Sequence, residues 1–168
     1  MLNQKPRQTD KYKQGLYIPV NKEKLIKANS EGGVYYRSGL EKKMMIYLDQ
    51  NSRILRWSAE YIRVPYKKTE WNANLKDFET TEHTYYPDFY YELQRQDGTI
   101  SRVVAEVKPY SETVEPPIKE NMTGKQMRNL EYALKMYNKN IQKWKYMIEY
   151  CERKGFEFII ITEKNLGK

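Results

Sequence analysis

Two short motifs constrain this chain most: Pro87-Asp88, and Glu106-Val107-Lys108 one hairpin further on. The first lies in Tyr85 to Leu93 (YYPDFYYEL), a run of aromatic and β-favouring residues, and the second closes Ile100 to Val107 (ISRVVAEV). Gln96-Asp97-Gly98-Thr99 between them supplies turn chemistry, so the two runs are expected to pair as antiparallel strands. Side chains alternate across a strand, which puts Val104, Glu106 and Lys108 on one face and Val103, Ala105 and Val107 on the other. The antiparallel return then sets Asp88 beside Glu106. Two carboxylates and an ammonium gathered in this way form a hard-oxygen site of the kind Mg²⁺ or Mn²⁺ prefers. A surface hairpin with a cross-strand Glu/Lys pair would produce the same string, so the surrounding elements decide between the two.

Upstream, Tyr36 to Gln50 (YRSGLEKKMMIYLDQ) places Leu40, Met44, Tyr47 and Leu48 on one helical stripe, with Glu41 at its edge and turned toward the sheet. Arg53 to Tyr66 (RILRWSAEYIRVPY) reads as two short strands. Lys125 to Lys154 reads as a long helix ended by Gly155, and Gly155 to Glu163 (GFEFIIITE) as a last strand. In that helix Leu130, Leu134, Tyr137, Ile141, Trp144, Ile148 and Cys151 recur at alternating four- and three-residue spacing, the pattern of a face laid on the sheet. Its other faces carry Lys125, Arg128, Lys135, Lys139, Lys143 and Lys145, which suit solvent or phosphate.

The remaining composition narrows the chemistry. Cys151 is the single cysteine and His83 the single histidine, so an intramolecular disulfide, a Cys-rich zinc site and a multi-histidine metal cluster are all excluded. Cys151 reads as a small core residue, and His83 as either a solvated position or a substrate contact near the mouth of the PD strand. A net charge of +8 points to a polyanionic partner, with nucleic acid the leading candidate. No apolar run reaches membrane-spanning length and the N-terminus lacks a signal-peptide core, so a cytosolic protein with no membrane partner is expected.

A chain of 168 residues can bury one core. Residues 1–33, with Lys5, Arg7, Lys11, Lys13, Lys22, Lys24 and Lys27, read as a basic N-terminal extension, mobile or draped over a partner, ahead of a folded domain at 34–168. Tyr66 to Thr84 reads as a long connection in which Trp71 and Phe78 either stack on bases or anchor the loop. Ser111 to Gly124, with Pro116-Pro117, reads as an irregular crossing. Sixteen tyrosines are a heavy load, suited to interfaces and to nucleic acid alike.

With the order helix, strands, PD strand, ExK strand, helix, strand in place, Pro87, Asp88, Glu106 and Lys108 match the PD-(D/E)xK nuclease signature. The helix start YRSGLE (36–41), the strand pair WSAEYIRVPY (57–66) and the ending YCERKGFEFIIITE (150–163) resemble one branch of it, the head-completion nucleases of myovirus-type tailed phages. That branch is itself similar to TnsA endonucleases, and the resemblance runs over about 34–164, leaving the extension and Lys67 to Thr84 uncovered. It implies an α/β, restriction-endonuclease-like PD-(D/E)xK core: a central mixed sheet of four or five strands flanked by helices. It also implies hydrolysis of DNA with Mg²⁺ (or Mn²⁺) held by Asp88, Glu106 and Glu41, and Lys108 acting on the water. Phage portal and neck proteins would be partners, and the host cytoplasm, then the virion head or neck, the location. A TnsA-like or restriction-type endonuclease in another pathway and a non-catalytic DNA-binding neck protein are the alternatives.

Overall fold

A computed structural model describes residues 3–6 and 13–166. Its centre is a mixed sheet of four strands: β3 (Ile54–Ala59), β6 (Phe89–Gln94), β7 (Ile100–Val107) and β8 (Glu157–Ile161), in the spatial order β3-β6-β7-β8. β3, β6 and β7 run antiparallel, and β8 joins β7 in parallel after a crossover through the long helix. The other elements are β1 (Gly15–Tyr17), β2 (Val34–Tyr36), α1 (Gly39–Gln50), β4 (Val64–Asn72), β5 (Asp77–Tyr85) and α2 (Gly124–Lys154). Among the described residues no helix is long and apolar enough to cross a membrane.

Strand alternation sorts the core into two layers. Val103, Ala105 and Val107 of β7 pack with Met44, Met45 and Leu48 of α1, whereas Val104 of the same strand packs with Trp144, Met147 and Cys151 of α2. The two helices therefore cover opposite faces of the sheet. Ser38 caps α1, its hydroxyl accepting from the Glu41 N–H. Thr123 and Gln126 close α2 with a capping box, and Gly155, at φ 65°, ends it in the left-handed conformation that glycine adopts without a Cβ penalty.

Four sequence expectations need correction. The PD strand starts at Phe89 and not at Tyr85, because Pro87 has no N–H to give a central ladder; Tyr85 ends the preceding strand. Residues 67–84 are not a loose connection but most of a regular β4–β5 hairpin, in register from Val64↔Tyr85 to Asn72↔Asp77. The apolar stripe of α2 is only partly core: Trp144 and Cys151 are buried, but Ile141 and Ile148 remain 42% and 46% exposed, and Asn140 and Met147 take buried places. The short sheet covers only the second half of so long a helix.

The described part of residues 1–33 is not draped away from the body. β1 pairs with β2, and buried Asp49 at the end of α1 accepts hydrogen bonds from the Tyr17 hydroxyl and the Val20 and Asn21 N–H groups at 2.6, 2.8 and 2.9 Å. Asn3 donates to Glu60 and to the Tyr35 carbonyl. Arg7 and Lys11 lie outside the described residues.

Candidate active site

The register Phe89↔Ala105 carries one step further to set Asp88 opposite Glu106. Asp88 stands just before the strand, where Pro87 has broken the ladder, and its carboxylate accepts the Val107 N–H at 2.7 Å. The side chain thus serves as the acceptor for the Val107 N–H just beyond the last β6–β7 pair. Glu106 and Lys108 project from the same face of β7, and the Lys108 Nζ stands 3.2 Å from Glu106 Oε1. The Lys108 backbone continues the parallel ladder by donating to the Ile161 carbonyl at 2.9 Å, so this end of the strand is held from both sides.

Glu106 is only 2% exposed and is heavily partnered. Tyr85 donates its hydroxyl to Oε2 at 2.7 Å, and Lys143 of α2 approaches Oε1 to 3.8 Å while its ammonium lies 4.5 Å above the Tyr85 ring. Burial, reinforced by Glu106, holds the Tyr85 hydroxyl protonated far above its usual range. The Lys143 ammonium is pulled the other way: burial lowers its pKa, and the attraction of Glu106 only partly offsets this. At Lys108 burial also works against the charge, but Glu106 and Asp88 outweigh it and hold the ammonium above its ordinary range.

Glu41 reaches this group from the first turn of α1. Its carboxylate accepts the Arg37 N–H at 2.8 Å, burial raises its pKa, and its charge is felt by both Asp88 and Lys108. At Asp88, burial first and then the charge of Glu106 push the carboxyl well above the usual range, with Glu41 adding to the effect and Lys108 opposing it. Asp88 thus feels the negative charge of both Glu106 and Glu41, and a divalent cation beside it would relieve that repulsion. The donor atoms are carboxylate oxygens, the class a hard cation takes. Among the described residues no three His, Cys, Asp or Glu side chains stand close enough to enclose an ion. An open site formed by one or two carboxylates, with its other positions left to water and phosphate, is the usual habit of Mg²⁺.

The structure therefore brings Asp88, Glu106 and Lys108 together, with Glu41 in electrostatic reach. It does not bring His83 to them: that ring stacks against Tyr66 at 5.5 Å and shares a 2.8 Å hydrogen bond with Thr81 on the exposed face of the hairpin. Two residues join the group that no motif picks out, Tyr85 and Lys143. The signal for Tyr85 was its place two residues before Pro87, and that for Lys143 was its position next to buried Trp144, at the margin of the helix's apolar face.

Residues 51–163, two thirds of the chain, match the family model described as TnsA-like endonuclease N terminal. That span holds Asp88, Glu106 and Lys108 and leaves Glu41 outside. The chain is also 28% identical over 134 residues to the head completion nuclease of Enterobacteria phage T4, an alignment covering 79% of this chain and 81% of the phage protein.

Proposed function

Because the chain belongs to the family of TnsA-like endonucleases, we propose that it is a metal-dependent deoxyribonuclease that hydrolyses DNA phosphodiester bonds during phage head completion. The observation that carries this reading is the convergence of Asp88, Glu106 and Lys108 at the shared end of β6 and β7, with mutually repelling acids. Asp88 and Glu106 would hold Mg²⁺ or Mn²⁺, and Glu41, which does not stand with them as a third ligand, would complete the shell through a water. Bound there, the metal supplies Lewis-acid polarisation of the scissile phosphate and a more acidic water.

The chain's own residues do the positioning. Asp88 is fixed by the Val107 N–H and Glu106 by the Tyr85 hydroxyl, so neither carboxylate has to reorganise when a phosphate arrives. Lys108 orients the attacking water through its ammonium and offsets the negative charge that grows on the phosphoryl oxygens. Lys143, approaching from α2, adds a second positive charge to the same wall.

The catalytic unit in this reading spans 34–168, with 1–33 a basic segment whose described part packs on it through β1 and Asp49. The TnsA-like match alone would suit a transposition or restriction-type enzyme equally. Similarity to the phage head completion nuclease over most of both chains favours the assembly role. DNA emerging from a filled head would be the substrate, portal and neck proteins the neighbours, and the host cytoplasm and then the head or neck the location. The +8 charge suits contact with DNA. Two experiments test this. Purified protein should nick plasmid DNA with Mg²⁺ and not with EDTA. Loss of the gene in a phage background should leave filled heads and complete tails that fail to join; normal joining would overturn the assembly role.

A further inference from the structure

The β4–β5 hairpin and the middle of α2 enclose a groove of about 490 Å³ that the site described above does not use. Gln142 clasps the two together, accepting the Thr69 N–H at 2.9 Å and donating to the Thr69 carbonyl at 3.2 Å. On the hairpin wall Trp71 and Phe78 are direct cross-strand partners and meet edge to face, with centroids 5.5 Å apart. They nevertheless stay 56% and 67% exposed, a large apolar area to leave in water at a hairpin tip.

The opposite wall is cationic. Lys135 and Lys139 line the groove, and Lys143 follows at the same four-residue spacing. At 1.5 Å per residue their backbone positions step about 6 Å along one side of the helix. The ammonium of the last, Lys143, stands 3.8 Å from Glu106 Oε1. Glu70 is the acid of the groove, and it pairs with Lys68 at 2.6 Å and Lys135 at 3.7 Å, so the net charge there is positive.

Rings interleaved with lysines suit nucleic acid better than a protein surface, since bases stack on aromatic side chains while ammoniums follow the phosphates. Base faces are available to Trp71 and Phe78 only where a strand is unpaired. We propose that this groove binds a single-stranded segment of DNA, its bases stacked on Trp71 and Phe78 and its phosphates led along Lys135 and Lys139 to Lys143. A frayed end or single-stranded tail is thereby delivered to Asp88 and Glu106. The proposal rests on the nuclease reading above and names its substrate class.

Fluorescence anisotropy on the full chain in EDTA tests it, with an oligothymidylate, a blunt duplex, and the same duplex bearing a single-stranded tail as probes. Wild type should prefer the tailed duplex over the blunt one. In Trp71→Ala/Phe78→Ala that preference should fall about tenfold or more, since each stacked base is worth roughly 1–3 kcal/mol. Equal wild-type affinity for tailed and blunt probes, or a preference that survives the double substitution, would overturn the proposal. If the double variant fails to fold, Lys139→Glu carries the test: it should weaken binding of the tailed probe and flatten its salt dependence, and wild-type affinity there also overturns the groove. A second arm with Mg²⁺ separates the two readings. Selective binding of the tail without cleavage of any probe would fail the nuclease reading and leave the groove standing. Cleavage of both duplexes with equal binding would do the reverse.

Discussion

The molecule contains two antiparallel hairpins built on opposite terms. β6–β7 lies in the middle of the sheet, between β3 and β8 and under both helices; the first four residues of β6 and the last five of β7 are buried. β4–β5 is a two-stranded ribbon beyond the sheet, and from Lys67 to Thr84 none of its residues is buried. The inner hairpin is held by excluded water, and in that setting burial and the neighbouring Glu106 charge raise the proton affinity of Asp88, while at Lys108 burial lowers it and the charges of Glu106 and Asp88 more than restore it. The outer one is held by cross-strand pairs, among them the Thr69 and Thr80 hydroxyls at 2.9 Å and the Trp71–Phe78 rings, and by the clasp of Gln142. A lone two-stranded hairpin is marginal in water, so the outer ribbon depends on α2. The difference is one of use: the buried hairpin suits chemistry, and the exposed one suits surface recognition.

The largest effects should fall on the inner hairpin. Lys108→Ala should lower the cleavage rate at least a thousandfold, about 4 kcal/mol on the barrier, in single-turnover assays. Glu41→Ala should cost about tenfold to a thousandfold, because it reaches the group through its charge and makes no direct hydrogen bond to Asp88, Glu106 or Lys108 among the described contacts. Near-normal cleavage by folded Lys108→Ala would remove that residue from the mechanism. In stability, Phe89→Ala should cost about 3–5 kcal/mol by denaturant titration, since that ring is buried against Trp57 at 6.3 Å.

The N-terminal segment falls between these extremes. Asp49 is fully buried; burial alone would raise its pKa, but hydrogen bonds from Tyr17, Val20 and Asn21 outweigh that and hold it below the ordinary range. Its contribution is therefore complete above the unfolded value of about 3.9 and is lost as pH falls through the lower folded value. Asp49→Asn should cost about 1–3 kcal/mol at neutral pH, a gap that closes in strong acid; a gap constant down to the acid limit would contradict the assignment. The smallest effect is Phe78→Ala at the outer tip, below about 1 kcal/mol in the same titration. A cost there near that of Phe89→Ala would erase the contrast between the hairpins.

What could be read from the sequence follows the same division. The inner hairpin was legible because burial of both faces writes itself as an apolar run, Asp97-Gly98 marks the turn, and alternation then fixes which side Glu106 and Lys108 share. The C-terminal end of α2 was legible from Gly155. The outer hairpin was not: with neither face buried, Lys67 to Thr84 carries no hydrophobic period, and its pairing rests on contacts between strands that no local pattern announces. The stripe on α2 misled for a related reason, since spacing shows which side chains share a face but not how far the sheet extends beneath them. Asn140 thus fills a buried place while Ile141 does not. Lys143 was read as one basic residue among many because its partner, Glu106, comes from another element. Asp49 was missed likewise, its donors lying far upstream in a segment taken for an arm.

The central claim is that the shared end of β6 and β7 is a hydrolytic site. The measurement that tests it most directly is Mg²⁺-dependent plasmid nicking by Asp88→Asn and Glu106→Gln beside wild type, each shown to be folded by thermal unfolding. These replacements keep the shape of the side chain, and the Asn oxygen can still accept the Val107 N–H, so a loss of activity reports the missing charge. The account predicts at least a thousandfold loss in both variants with the fold retained. A folded Asp88→Asn or Glu106→Gln protein that nicks at the wild-type rate would contradict it.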